Sequence, residues 1–189
     1  MTYLYNIVEQ RYNIEWAKRV DFNSLGFTLF FGHGMSADGK LTKTCLSQWW
    51  LCDFTVDGIK YNCMEQFMMA GKAALFDDTK ILTEIMHSKD QKYIKSLGRK
   101  IKGFDSTVWN KHKFSIVYQG NLAKFSQNED LKQFLISTKD TILAEASPYD
   151  AIWGIKLSEN ERKAYNPNTW NGENLLGFAL MQVRDEVRK

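Results

Sequence analysis

Glu65 and Lys72 stand seven residues apart in the run Asn62-Cys63-Met64-Glu65-Gln66-Phe67-Met68-Met69-Ala70-Gly71-Lys72. On a helix that spacing brings a carboxylate and an amine onto one face, two turns apart and within about 20 degrees of rotation. Helical side chains lean toward the N-terminus, so the Lys72 ammonium reaches back toward Glu65 and both can meet one bound molecule. A carboxylate so placed can take a proton or stabilise a cationic centre; a lysine can hold a phosphate or form a Schiff base with an opened sugar. Each also has a plain structural reading. Asn62 with Glu65 three residues on is what a helix start uses as a capping pair, and a lone lysine is ordinarily solvated.

Asp150 follows Pro148 in a turn-prone stretch ahead of Ile152-Trp153, where a carboxylate can project into a cleft, although a turn-forming aspartate is the simpler reading. Trp49, Trp50, Trp109 and Trp153 offer flat faces for a base or nicotinamide ring, worth about 1–3 kcal/mol per stacked base. Taken singly, each tryptophan is more often core. His33, His87 and His112 are scattered, and Cys45, Cys52 and Cys63 are odd in number without CxxC spacing. That pattern argues against a zinc cluster and a disulfide framework. No metal and no resident cofactor are expected: there is neither a Gly-rich phosphate loop nor a GxGxxG.

The elements that must position these groups are legible in part. Phe27-Thr28-Leu29-Phe30-Phe31, closed by Gly32-His33-Gly34, reads as a buried strand, and Asp53 to Tyr61 alternates around Asp57-Gly58 as a tight hairpin. A helix from Asn62 carries Met64, Phe67, Met68, Gly71 and Leu75 on its apolar face. Further helices are predicted from Ser88 with Gln91, from Asp105 through Trp109 and Val117, from Ser126 with Glu129, and from Glu173 to Val187. Short strand structure is expected around Ile142 to Ile155. The fold class is therefore mainly α with a few short β-strands, an α+β single domain. With 189 residues, 44% hydrophobic and 25% charged, the chain suits one globular unit.

Net charge is only +3, but Lys89 to Lys113 holds eight basic against two acidic residues. Lys92, Lys95, Arg99 and Lys102 recur there at helical spacing. Such a stripe is either a solvated helix face or a contact for phosphate or nucleic acid. Charged residues interrupt the N-terminus, and no 18-residue apolar run occurs, so a cytoplasmic protein without membrane contact is expected. Nothing indicates the oligomeric state.

Several motifs occur together in one order: Leu46-Ser47-Gln48-Trp49-Trp50; the Phe54 to Gly58 hairpin; Cys63 to Ala73; Leu97-Gly98-Arg99-Lys100; Trp109; Lys124 to Asn128; Glu145-Ala146-Ser147-Pro148-Tyr149-Asp150; Trp153-Gly154-Ile155; and Trp170 to Gly177. From about Phe30 to Arg184 this series resembles the NADAR (YbiA-like) family. The resemblance implies a YbiA-like α+β fold and an N-glycosidase. Some members act on phosphoribosyl-amino intermediates of riboflavin synthesis, and others remove ADP-ribose from guanine in DNA, in some cases reversing a toxin of a toxin-antitoxin pair. It implies Glu65, Trp109 and Asp150 as the site with Lys72 close by; Gln48, Trp49, Trp50, Arg99, Trp153 and Asn171 are further candidate substrate contacts from the same motifs. The sequence departs at Gly71, where relatives more often carry alanine, and in residues 1–25, expected to form an extension packed on a domain of residues 26–189.

Breaking a ribose C–N bond builds positive charge on the sugar and electron density on the leaving nitrogen, which suits two carboxylates. Glu65 is expected to activate water or stabilise the sugar cation, Asp150 to orient ribose hydroxyls or move a proton, and Trp109 to stack on the base. The leading expectation is removal of ADP-ribose from a nucleobase, with ADP-ribosylated DNA as a partner. The alternatives are a riboflavin-intermediate glycosidase and a non-catalytic ADP-ribose or NAD binding module.

Overall fold

The computed structural model describes residues 6–189. Its centre is α3 (Met64–Leu75), in which every residue from Met64 to Gly71 is buried, as a helix surrounded by other elements must be. Against it pack α4 (Thr79–His87), α5 (Gln91–Gly98) and the long α6 (Ser106–Gln127). Two glycines permit this approach. A Cβ at Gly98 would lie 2.0 Å from Met69 Sδ, and one at Gly120 2.4 Å from Phe67 Cδ1. The last helix, α8 (Leu175–Val187), lies on α6 and, with α7 (Glu129–Ser137), closes the core.

Two two-stranded sheets complete the fold. β2 (Phe54–Val56) and β3 (Ile59–Tyr61) form the expected antiparallel hairpin. Asp57 and Gly58 both take left-handed backbone, φ 49° and 77°, as a tight two-residue turn requires. β1 (Phe27–Phe30) instead runs parallel to β4 (Ile142–Glu145), with Phe30 opposite Glu145. This pairing joins two segments far apart in the chain. Before it come α1 (Ile14–Arg19) and α2 (Phe22–Leu25). Residues 8–12 lie on α6 and α8: the Val8 N–H donates to Ser115 Oγ (2.9 Å), Gln182 Nε2 to the Glu9 carbonyl (3.0 Å), and Tyr12 Oη to Asp185 (2.8 Å).

The caps differ from their sequence expectation. Cys63, not Asn62, is the N-cap of α3 and makes no side-chain cap bond. The capping function falls to Gln66, whose Oε1 accepts from the Asn62 N–H at 2.9 Å, so Glu65 is released from the structural role open to it. Asp90 rather than Ser88 caps α5. Ser126 is absorbed into α6, and α7 begins after Asn128. α8 starts at Leu175 rather than Glu173. The helix α4, capped by Asp78, was not anticipated. α5 ends at Gly98, so the basic stripe stops short of Lys102, whose backbone N–H donates to Asp78 instead.

Candidate active site

One wall of the principal cleft is a single helical stripe. Glu65, Met68, Met69 and Lys72 of α3, spaced i, i+3, i+4, i+7, all line it. The cleft has two adjoining lobes, of about 290 and 480 Å³. Ser47, Trp49, Lys95, Arg99, Glu145 and Asp150 border both; Glu65, Lys72, Trp109 and Trp153 border only the first. Phe31, His33 and Tyr149 border only the second.

Glu65 is 2% exposed. Its Oε2 accepts from Trp49 Nε1 at 3.1 Å, and its backbone N–H donates to the Gln48 carbonyl at 2.8 Å, so the loop carrying Gln48 and Trp49 is pinned to the first turn of α3. Burial pushes the Glu65 carboxyl up to about 7; the nearby Lys95 and the Trp49 hydrogen bond oppose this, and Asp150 reinforces it. Lys72 Nζ donates to the Gly98 carbonyl at 2.8 Å and sits 4.2 Å from the Phe104 ring centre and 5.5 Å from that of Trp109. Burial lowers its pKa. Asp150 does form a turn, its Oδ1 accepting from the Ile152 and Trp153 N–H groups at 2.9 and 2.8 Å. That turn aims the carboxylate at both lobes.

A third carboxylate joins them. Glu145, at the end of β4, was not among the candidates. Its main chain is held on three sides: the pairing with β1, the Asn174 Oδ1 that accepts from its N–H (3.1 Å), and the Ile155 N–H that donates to its carbonyl (2.9 Å). Burial pushes its carboxyl up to about 8, with Asp150 and Glu65 adding and Lys95 opposing. The sequence signal was an acid closing the apolar run Ile142-Leu143-Ala144. Lys95, noticed only within the basic stripe, also enters the cleft, its Nζ 5.7 Å from the Trp49 ring centre.

Two candidates lie elsewhere. Trp50 is 7% exposed, belongs to the main core and borders a separate cavity beside Cys52 and Leu131, because the turn that aims Trp49 at the cleft sends its neighbour the other way. Asn171 is exposed and lines neither lobe; its backbone N–H donates to the Ile155 carbonyl. The other candidates, Gln48, Trp49, Arg99, Trp109 and Trp153, all meet at the first lobe. Among the described residues, no three His, Cys, Asp or Glu side chains are grouped so as to hold a metal ion, and no helix is long and apolar enough to cross a membrane.

What stays unpaired is informative. Gln48 Oε1, Glu65 Oε1 and Glu145 Oε2 are buried with no hydrogen-bond partner, an arrangement that costs free energy unless something supplies donors. All three border the first lobe. The site therefore asks for a molecule rich in hydroxyl or amine hydrogens, and rewards a protonated carboxyl.

Raised carboxyl pKa values carry a stability consequence. An acid with a higher pKa folded than unfolded contributes stability that is fully present below the unfolded value, near 4.5, and is lost as pH rises through the folded values, about 7 and 8. Each unit of difference corresponds to about 1.4 kcal/mol. The melting temperature is expected to fall between pH 5 and 8.5, and a Glu65→Gln, Glu145→Gln double variant to show a flatter slope. Equal slopes in calorimetric melts would place the strain elsewhere.

Comparison with known proteins identifies the family of the chain. The NADAR domain model matches residues 33–188. An N-glycosidase of Acanthamoeba polyphaga mimivirus is 45% identical over 145 residues, covering 74% of this chain and 85% of that protein. A riboflavin biosynthesis protein of Vibrio vulnificus is 28% identical over 76% of the chain, which spans only 35% of that longer protein. The NMR structure of Escherichia coli YbiA superimposes with a TM-score of 0.69 at 24% identity, covering 91% of each chain, and so shares the fold. With a family model spanning residues 33–188 and a relative 45% identical over 74% of the chain, the chain belongs to the NADAR family of N-glycosidases.

Proposed function

We propose that the protein hydrolyses the N-glycosidic bond between ADP-ribose and a nucleobase, guanine in DNA being the favoured acceptor. The observation that carries this reading is the two-lobed cleft with carboxylates at its junction. A substrate of two parts, joined by one C–N bond, fills two lobes with the bond between them. In the first lobe, the orphaned acceptors of Gln48 and Glu65 meet ribose hydroxyls, Lys72 and Arg99 meet phosphate, and Trp109 offers a stacking face. In the second, Trp49, Tyr149 (87% exposed) and Phe31 (46% exposed) present ring surface beside Lys95 and Arg99. Interleaved rings and cations suit a base drawn out of its stack with its phosphates.

As positive charge grows on the sugar, Glu65 stabilises it and receives a proton from the attacking water; Asp150, held by its turn, orients the ribose. A carboxyl with a pKa near 7 is suited to that exchange at neutral pH.

A second reading, cleavage of a phosphoribosyl-amino pyrimidine, is favoured by the Vibrio relative. Its pyrimidine would sit in the second lobe but leave the exposed rings of Phe31 and Tyr149 there with less to cover. Incubation with an oligonucleotide bearing ADP-ribose on guanine is expected to release free ADP-ribose and unmodified DNA, followed by mass spectrometry. Intact oligonucleotide alongside turnover of the phosphoribosyl-amino pyrimidine would replace the first reading with the second.

A further inference from the structure

The carboxylates are not equivalent. Glu65 borders only the first lobe and already receives the Trp49 indole N–H on Oε2. Glu145 borders both lobes, its Oε2 is buried without a partner, and no hydrogen bond from a side-chain donor reaches its carboxyl among the described residues. An ionised oxygen in that position would lack any compensating donor, whereas a protonated one becomes a donor awaiting an acceptor. Glu65 from α3 and Asp150 from the following loop face it with negative charge, and Lys95 from α5 with positive charge. Arg99 borders the same two lobes. Burial of the Glu145 carboxyl and the two neighbouring acids outweigh the opposing cation, Lys95, and favour keeping the proton on Glu145.

We infer that Glu145 is a catalytic residue, the acid that protonates the departing nitrogen where the two lobes meet, while Glu65 serves the water on the sugar side. This rests on the N-glycosidase reading of the cleft. The C1–N bond breaks with its electron pair going to nitrogen, which takes the Glu145 proton. Water adds to C1 through oxygen, and the proton it sheds passes to Glu65. Glu65 then loses that proton and Glu145 regains one through solvent, so each turnover consumes one water and leaves the enzyme unchanged. The main chain of Glu145 is fixed on three sides, while one carboxyl oxygen is buried without a partner at the border of both lobes.

The test uses the substrate that the wild-type protein cleaves, ADP-ribosylated oligonucleotide or phosphoribosyl-amino pyrimidine, with Glu145→Gln and Glu145→Ala. Glutamine keeps the shape and cannot supply an acidic proton. Its kcat is expected to fall about 10²- to 10⁴-fold, with loss of the alkaline limb of the pH profile, while ADP-ribose affinity by calorimetry and the melting temperature stay near wild type. Added formic acid buffer is expected to restore part of the Glu145→Ala rate. A Glu145→Gln protein with the wild-type rate and alkaline limb overturns the assignment, as does a loss explained wholly by weaker binding or a lower melting temperature. Wild-type protein that cleaves neither substrate overturns the reading beneath it, a result visible before either variant is made.

Discussion

The Glu65→Gln protein folds normally and turns over substrate about 10²- to 10⁴-fold more slowly than wild type, the range expected when a positioned proton acceptor is lost. The side-chain shape is retained, so the Trp49 indole keeps an oxygen acceptor and the wall formed with Met68, Met69 and Lys72 stays in place. The carboxylate, by contrast, is lost from a site where burial already opposes its charge. Removing it costs the fold little, and at alkaline pH the melting temperature should equal or exceed that of wild type. Single-turnover kinetics beside a melting curve give both quantities. A folded variant with undiminished turnover would remove Glu65 from the mechanism, and a collapsed one would return it to a structural role.

Lys124→Ala should be the most destabilising change near the cleft that touches no substrate. Lys124 is fully buried in α6, and its Nζ donates to the Cys45 carbonyl (2.6 Å) and the Ser47 carbonyl (3.1 Å). It thereby ties the turn that delivers Gln48 and Trp49 to the main helical body. Burial lowers its pKa, and the ionisable groups nearest it are cysteine thiols, which burial keeps protonated and neutral, not carboxylates. Alanine leaves two buried carbonyls without a donor and opens a cavity, offset in part by removing a desolvated amine; the net loss is on the order of 2–4 kcal/mol. For a chain of this size that lowers the melting temperature by about 5–15 °C. Lys124→Met refills the volume without the donor and should lose roughly half as much. Both variants are expected to raise KM more than they lower kcat, because the Gln48–Trp49 wall loosens while the three acids remain. An unchanged melting temperature in Lys124→Ala would show that the turn is held by other contacts.

Local periodicity determined a good deal here. It placed the helix carrying Glu65 and Lys72 and put them on one face, and the Asp57-Gly58 pair specified the hairpin through its left-handed backbone. The ordered motifs carried the family resemblance, and the apolar pattern located the helices now numbered α5 to α8 to within a few residues. These features depend on neighbours along the chain, so a reading of the chain can reach them.

Other features depend on contacts between distant segments. Which residue caps α3 was decided by Gln66, whose amide also donates to the carbonyls of Ile85 in α4 and Ser88 just after it; without those contacts, Glu65 and Gln66 compete for the same role. Trp49 and Trp50 are indistinguishable in sequence, and only the turn tied down by Lys124 sends one to the cleft and the other to the core. Glu145 reaches Glu65 and Asp150 because a strand at Phe27–Phe30 pairs in parallel with one at Ile142–Glu145, and its Asn174 anchor belongs to yet another segment. The chain itself determined which chemical groups were at hand and which shared a face. Only the tertiary structure could bring three acids to one cleft and raise two of their pKa values, because burial and charge proximity are properties of packed space and not of sequence order.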